Sequence, residues 1–247
     1  MEIFSKKIVV LRRKYTMKES NVSCNLRDCL LCKSCLPHWI PAVSAYKKNY
    51  LIRKGQQVFT EGAPVTGIYF VYSGVLKVHK KWGKEKELII RFAKQGDIAG
   101  HLGLGRKTQY PVSATALEDT MVCYLNMDFF ESTLRVNTDL TYTLMRFLAD
   151  ELQGSHRGMR DLAHMSVRAR VAQALLSLKD QFGTRPDGSI GLTISRQDIA
   201  SFAGTTYETL FKVLNELVGD GYLFLDGKRI TLRNEPELQK IVQMDSI

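Results

Sequence analysis

Five cysteines carry the clearest chemical signal in this chain. Cys24, Cys29, Cys32 and Cys35 crowd one short segment, and Cys123 stands alone far downstream. C-x2-C spacings bring thiolates close enough to share one metal ion or one iron–sulfur cluster. Three readings of the thiols are open: an iron–sulfur or redox site, a zinc staple, and inert side chains. His38, His79 and His101 are candidate haem ligands, although lone histidines are more often structural. No nucleophile–His–acid set, HExxH or P-loop occurs, so an enzyme is not expected. The run Gly100–Gly105 resembles a phosphate loop only loosely and reads as a turn, because a dinucleotide fingerprint needs a strand before it and a helix after it.

The class of protein that must position these thiols follows from length and charge. The 247 residues allow one large domain or two ordinary ones. No apolar run approaches the ~20 residues of a membrane span. Ile8–Leu11 is followed by Arg12-Arg13-Lys14 rather than by a signal-peptide cleavage site. A cytoplasmic protein with no membrane partner is expected, in a compartment where thiols stay reduced and clustered cysteines serve as ligands or sensors. The net charge of +10 favours a polyanionic partner.

Residues 1–22 read as a basic tail, with Met17 as a second candidate start. Residues 23–126 read as a cysteine-rich lead and a sensor domain. Its candidate strands are Val58–Thr60, Gly67–Tyr72, Val75–Lys81, Glu87–Phe92, Val112–Leu117 and Met121–Asn126, divided by glycine-rich turns. Short, evenly spaced strands predict a small β-barrel or roll. Cys123 falls on the last of them. It is expected on a surface that meets the N-terminal cysteines; a place in the roll's apolar interior is the alternative. Residues 127–165 read as one long helix. Its stripe of Leu140, Leu144, Leu148, Leu152 and Met159 suits a seam with a second subunit, or packing within the chain. The fold class is α+β.

Residues 166–247 carry the most specific pattern. Ser195-Arg196-Gln197-Asp198 is a capping-box start for a short helix ending near Gly204. Thr205-Thr206-Tyr207-Glu208 is a second one, opening a helix through about Val218. Two helices with Ala200 at their approach and Gly204 at the turn predict a helix-turn-helix. Tyr222–Leu232 then forms two apolar arms around Asp226-Gly227, predicting a hairpin wing whose tip carries Lys228 and Arg229. Expected DNA contacts are Ser195, Arg196, Thr205, Thr206, Tyr207, Glu208, Phe211, Lys212, Lys228 and Arg229. Phe211 is open to two readings, contact with a thymine methyl or packing.

From Cys24 onward the chain resembles the CRP/FNR family of bacterial transcription regulators, which joins a cyclic-nucleotide-binding-like β-roll, a long dimerisation helix and a C-terminal winged helix-turn-helix. Ala116–Cys123 is similar to the segment that carries a remote cluster ligand in the FNR branch, and Cys29 with Cys35-Leu36-Pro37 is similar to the end of that branch's N-terminal motif. The resemblance implies a homodimer on a palindromic DNA site with RNA polymerase as partner, and one [4Fe–4S] cluster per subunit responding to oxygen or redox state. It leaves two ligand sets open, Cys24, Cys29 and Cys35 with Cys123, or Cys29, Cys32 and Cys35 with Cys123. A regulator that senses a small molecule, or is stapled by zinc, is the alternative. Cyclic AMP is not expected: His101 follows Gly100 where the family's binders carry glutamate, and Tyr110-Pro111 replaces the phosphate-binding Arg-Ser pair. Lys212 stands where the recognition helix usually has arginine, and so lacks that residue's planar fork.

Overall fold

The computed structural model describes residues 17–21, 25, 27, 29–83 and 86–245. The chain divides into two compact units. One runs through Lys81 and takes in Ile90–Glu151; the other takes Trp82–Ile89 and the chain from Leu152 onward.

The first unit is a β-roll of two antiparallel sheets. Its strands are β1 (Lys18–Glu19), β2 (Lys48–Ile52), β3 (Gln57–Phe59), β4 (Gly67–Ser73), β5 (Leu76–Trp82), β6 (Lys86–Ala93), β7 (Ile98–Ala99), β8 (Ser113–Ala116) and β9 (Thr120–Asn126), with the facing ends of β5 and β6, Trp82 and Lys86–Ile89, counted in the second unit. One sheet has the order β1-β2-β9-β4-β7 and the other β3-β8-β5-β6. Met17–Glu19 are not tail: Lys18 pairs with Leu51, Glu19 pairs with Tyr50, and Met17 packs on the roll core. Sequence patterning passed over β2 because its four leading residues alternate no apolar face.

Strand alternation sorts β4 and β9 into two chambers. Tyr69, Val71 and Val122 face the roll interior, where Phe59 stacks on Tyr110 with ring centroids 4.3 Å apart. Ile68, Phe70, Cys123 and Leu125 face the opposite way, into a second core. That core is closed by α1 (Leu30–Ser34), α2 (Ile40–Tyr46), α3 (Met127–Val136) and the start of α4 (Thr138–His164).

The long helix expected over 127–165 is therefore two helices, interrupted at Asn137. Asn137 is fully buried. Its backbone N–H closes α3 on Thr133 O (3.1 Å), and its carbonyl accepts from Thr141 N–H (3.0 Å) to begin α4.

The second unit holds α5 (Val167–Phe182), α6 (Arg196–Phe202), α7 (Tyr207–Gly219), the hairpin β10 (Leu223–Asp226) with β11 (Arg229–Leu232), and α8 (Glu235–Met244). Leu210, Val213, Leu214 and Leu217 form the buried stripe of α7, against Ile199 and Ala200 of α6.

Candidate thiol site and nucleic-acid interface

Cys29 is the N-cap of α1, and its Sγ accepts from the Cys32 N–H at 3.5 Å. Three residues of separation put both thiols on one side of this single turn. Leu31, fully buried, anchors the opposite side. The Leu30 N–H donates to Gly96 O at 3.1 Å and ties α1 to the turn before β7. Cys29, Cys32 and Cys123 consequently line one pocket, floored by Phe70 and walled by Gln95 and Gly96. The pocket measures about 10 Å³, room for one water.

Cys35 belongs to the same core but faces elsewhere. Its thiol donates to Asn137 Oδ1 at 3.3 Å, and the Leu36 N–H donates to the same oxygen at 2.8 Å. Asn137 Nδ2 donates to Thr133 O at 2.8 Å, and Trp39 Nε1 donates to Thr133 Oγ1 at 3.2 Å. Burial raises the Cys35 pKa, opposed by the Leu36 N–H and supported by Cys29. Cys24 lies outside the described residues. Among the described residues no group of three or more His, Cys, Asp or Glu side chains gathers tightly enough to hold a single metal ion. A four-iron cluster holds its thiolates farther apart than one ion does, and the soft donors around Cys123 suit it. The pocket as closed by α1 is smaller than such a cluster.

In the second unit, Ser195 caps α6: its Oγ accepts from the Asp198 N–H at 3.0 Å and donates to Asp198 Oδ2 at 2.5 Å. Gly204 turns the chain at φ +62, and Arg170 donates to the carbonyls of Met165, Ala203 and Gly204. Thr206, not Thr205, caps α7, accepting from the Thr209 N–H at 3.2 Å. The cap is thus displaced by one residue and the expected second capping box does not form: the third helical position is Thr209, and Glu208 lies in the first turn. The wing also shifts by one: Asp226 pairs with Arg229, so the turn is Gly227-Lys228.

Tyr207, Glu208, Phe211, Lys212 and Lys228 are exposed. Arg196 is engaged by the wing. Its guanidinium donates to Gly227 O (3.1 Å) and Lys228 O (3.4 Å), holding the wing turn against α6. Arg229 is paired with Asp187 at 2.6 Å.

A cyclic nucleotide-binding domain model matches residues 51–137, and a Crp-like helix-turn-helix domain model matches residues 169–241. The chain belongs to the CRP/FNR family. It is 25% identical over 240 residues to the fumarate and nitrate reduction regulatory protein of Escherichia coli (strain K12), covering 94% of each chain. It is 26% identical over 206 residues to the CRP-like cAMP-activated global transcriptional regulator of Mycobacterium tuberculosis, covering 83% of this chain and 92% of that one. The structure of FixK2 from Bradyrhizobium japonicum superposes with a TM-score of 0.70 at 26% identity, over 79% of this chain and 96% of that one. These relatives are regulators rather than enzymes. This CRP/FNR protein is a DNA-binding transcription regulator.

As a CRP/FNR roll, the first unit contains a second small pocket, lined by Arg91, Gly100, His101, Tyr110, Pro111 and Glu151. His101 is buried, 3.6 Å from Glu151 through Nε2 and edge-on to Phe147. Desolvation lowers its pKa, against the pull of the Glu151 carboxylate, and Arg91 lowers it further. Glu151 titrates low although burial alone would raise it, because His101 and Arg91 (3.2 Å) favour its charged form. The Arg91 guanidinium also donates to Ile98 O, so it is held by the protein. This triad was not foreseen from the sequence, since its members come from three separated segments.

The stripe on the long helix needs correction. Leu140 and Leu144 are 0% and 3% exposed and pack in the second core with Phe70 and Phe130, so they are not seam residues. Leu148 packs partly on that core, whereas Met145, Leu152 and Met159 are more than half exposed. Among the described residues no helix is long and apolar enough to cross a membrane.

Proposed function

We propose that this regulator is a homodimer that reads a palindromic DNA site through α7 and the wing, contacts RNA polymerase there, and is switched through its cysteines by an iron–sulfur cluster. The observation that carries the sensing half is the orientation of Cys123. It lies on the helix-facing side of β9 and shares one pocket with Cys29 and Cys32. The fourth ligand would come from Cys24 or Cys35, and Cys35 would have to leave its hydrogen bond to Asn137. When bound, a [4Fe–4S] group supplies reactivity towards oxygen. The chain's own part is mechanical: Asn137 links the Cys35–Leu36 backbone to the first turn of α4, so displacement of the cysteine segment reaches the helix that bears the subunit seam. Met145, Leu148, Leu152 and Met159, at alternating three- and four-residue steps with Ser155 between the last two, form that seam.

On DNA, Lys212 donates to a guanine edge and Glu208 accepts from cytosine N4. Lys228 at the wing tip contacts phosphate. Anaerobic purification followed by absorbance spectroscopy with iron and sulfide analysis tests the sensing half. Four irons and four sulfides per subunit, lost in Cys123→Ser, are expected. Stoichiometric zinc in place of iron, or no metal at all, would overturn it.

A second reading rests on His101. Among the described residues its buried Nδ1 has no hydrogen-bond partner, in the pocket with Arg91 and Glu151, which suits a small ligand that accepts or donates there. The absence of an arginine at Tyr110-Pro111 argues against cyclic AMP. Thermal-shift titration of the metal-free protein with cyclic AMP and other small anions separates the two readings.

A further inference from the structure

Two aromatic side chains stand on α7 where a DNA-reading helix carries polar groups. Tyr207 is 43% exposed and Phe211, one turn later, is 54% exposed. Spacing of four places them in one line beside a second line formed by Glu208 and Lys212. The buried stripe of α7 is complete without them: Leu210, Val213, Leu214 and Leu217 pack on α6 and the wing base. Phe224, the exposed aromatic of the wing, differs, because the Arg233 guanidinium covers its ring at 4.7 Å. Phe211 is thus an apolar ring set among charged neighbours and turned away from its own core.

We infer that Phe211, flanked by Tyr207, reads the C5-methyl group of a pyrimidine in the DNA major groove. The inference rests on the reading of α7 as the helix that enters DNA. The major groove presents one apolar feature on its base edges, the methyl of thymine or of 5-methylcytosine, and phenylalanine is among the side chains that contact it. A phenyl ring has neither donor nor acceptor, so it cannot read the remaining edge pattern. Insertion as a wedge between base steps fits less well, since such wedges act from the minor groove, whereas a helix of this kind lies in the major groove. Charge complementarity selects DNA over a protein partner: Lys212 is adjacent on α7, and the Gly227-Lys228 turn is held beside the start of α6 by Arg196. The motif therefore pairs a charged line that reads hydrogen-bonding edges with an apolar line that reads methyls. A neutral contact of this sort releases no counterions, so it adds specificity without adding salt dependence.

The test uses the full-length protein and the best site recovered from a randomised duplex library. Each thymine is replaced in turn by deoxyuridine, and in a separate arm each cytosine by 5-methylcytosine. Affinities are measured by fluorescence anisotropy for wild type, F211A and F211L. Wild type should lose about four-fold in affinity at one thymine per half-site, the factor associated with burying one methyl-sized group. F211A should be indifferent at that position, with an unchanged salt slope and unchanged binding to random DNA, and F211L should keep part of the sensitivity. A cytosine whose methylation strengthens wild type but not F211A would assign the contact to methylated cytosine instead, and would equally support methyl reading. A selected site that is bound specifically, yet at which neither replacement distinguishes wild type from F211A, overturns the inference and leaves DNA reading intact. Failure of wild type to select any site overturns the reading of α7 itself. Circular dichroism of F211A, at an exposed position, checks that the fold is retained.

Discussion

The two units hold their candidate functional groups in opposite ways. In the winged helix they are on display: Glu208, Phe211, Lys212 and Lys228 project from a scaffold whose caps, turn and core are satisfied by other residues. In the roll they are enclosed. Cys35, Cys123 and His101 are all less than a tenth exposed, and each is fitted against several elements. A displayed group can act without rearrangement, since its partner comes to it. An enclosed group can report only by disturbing what packs around it, which is what a sensor requires. The difference predicts that substitutions in the reader change binding at constant stability, whereas substitutions in the sensor change stability first.

Leu144→Ala should separate the units most sharply. It opens a cavity in the second core and should cost about 3 kcal/mol of folding free energy, read by chemical denaturation. Leu152→Asp, on the same helix but exposed, should leave a well-folded protein that sediments as a monomer. A folded, dimeric Leu152→Asp protein would move the seam elsewhere. Asn137→Ala comes next, at roughly 1–3 kcal/mol, because it strands the partly buried Leu36 N–H. It should also speed alkylation of Cys35 in the cluster-free protein. Alkylation at the wild-type rate would show that the Asn137 contact does not hold that thiol in place.

In the reader, Lys212→Ala should weaken specific binding by roughly 1–3 kcal/mol and relax preference at one base position. Lys228→Ala should weaken all sequences equally and reduce the salt slope by about one. Equal loss on specific and random DNA would remove Lys212 from base reading. The smallest effect concerns pH. His101 has a lowered pKa in the folded state, so its contribution is complete above the ordinary histidine range and is lost as pH falls, when the unfolded chain binds the extra proton. His101→Gln should flatten that part of the stability–pH curve, and an unchanged curve would place the titration elsewhere.

What could be read from the sequence follows the same division. Ser195 with Asp198, Gly204, and the apolar spacing of α7 are local signals, and each recurs in the structure within one residue. The six candidate strands also recur, because glycine turns bracket them. The docking of the cysteine segment was not legible. Helices α1 and α2 have five and seven residues, too short to persist without tertiary contacts. The interruption at Asn137 was hidden because apolar residues continue through it, and only burial shows that Leu140 and Leu144 turn inward. Arg91, His101 and Glu151 meet through long-range folding that no spacing rule encodes.

Strand β9 is a partition with one compartment on each side. Val122 belongs to the roll interior, and its neighbour Cys123 to the chamber under the helices. The two compartments can therefore diversify separately: residues of one parity reshape the roll interior while those of the other reshape the chamber that holds the thiol. The same geometry makes the wall intolerant of a frame error. A slip of one residue in the pairing of β9 with β2 and β4 would exchange the two faces, burying Val122 beneath α1 and delivering the Cys123 thiol into the aromatic chamber of Phe59 and Tyr110. The register of that pairing is what keeps sulfur on the side where it can be reached by the N-terminal cysteines.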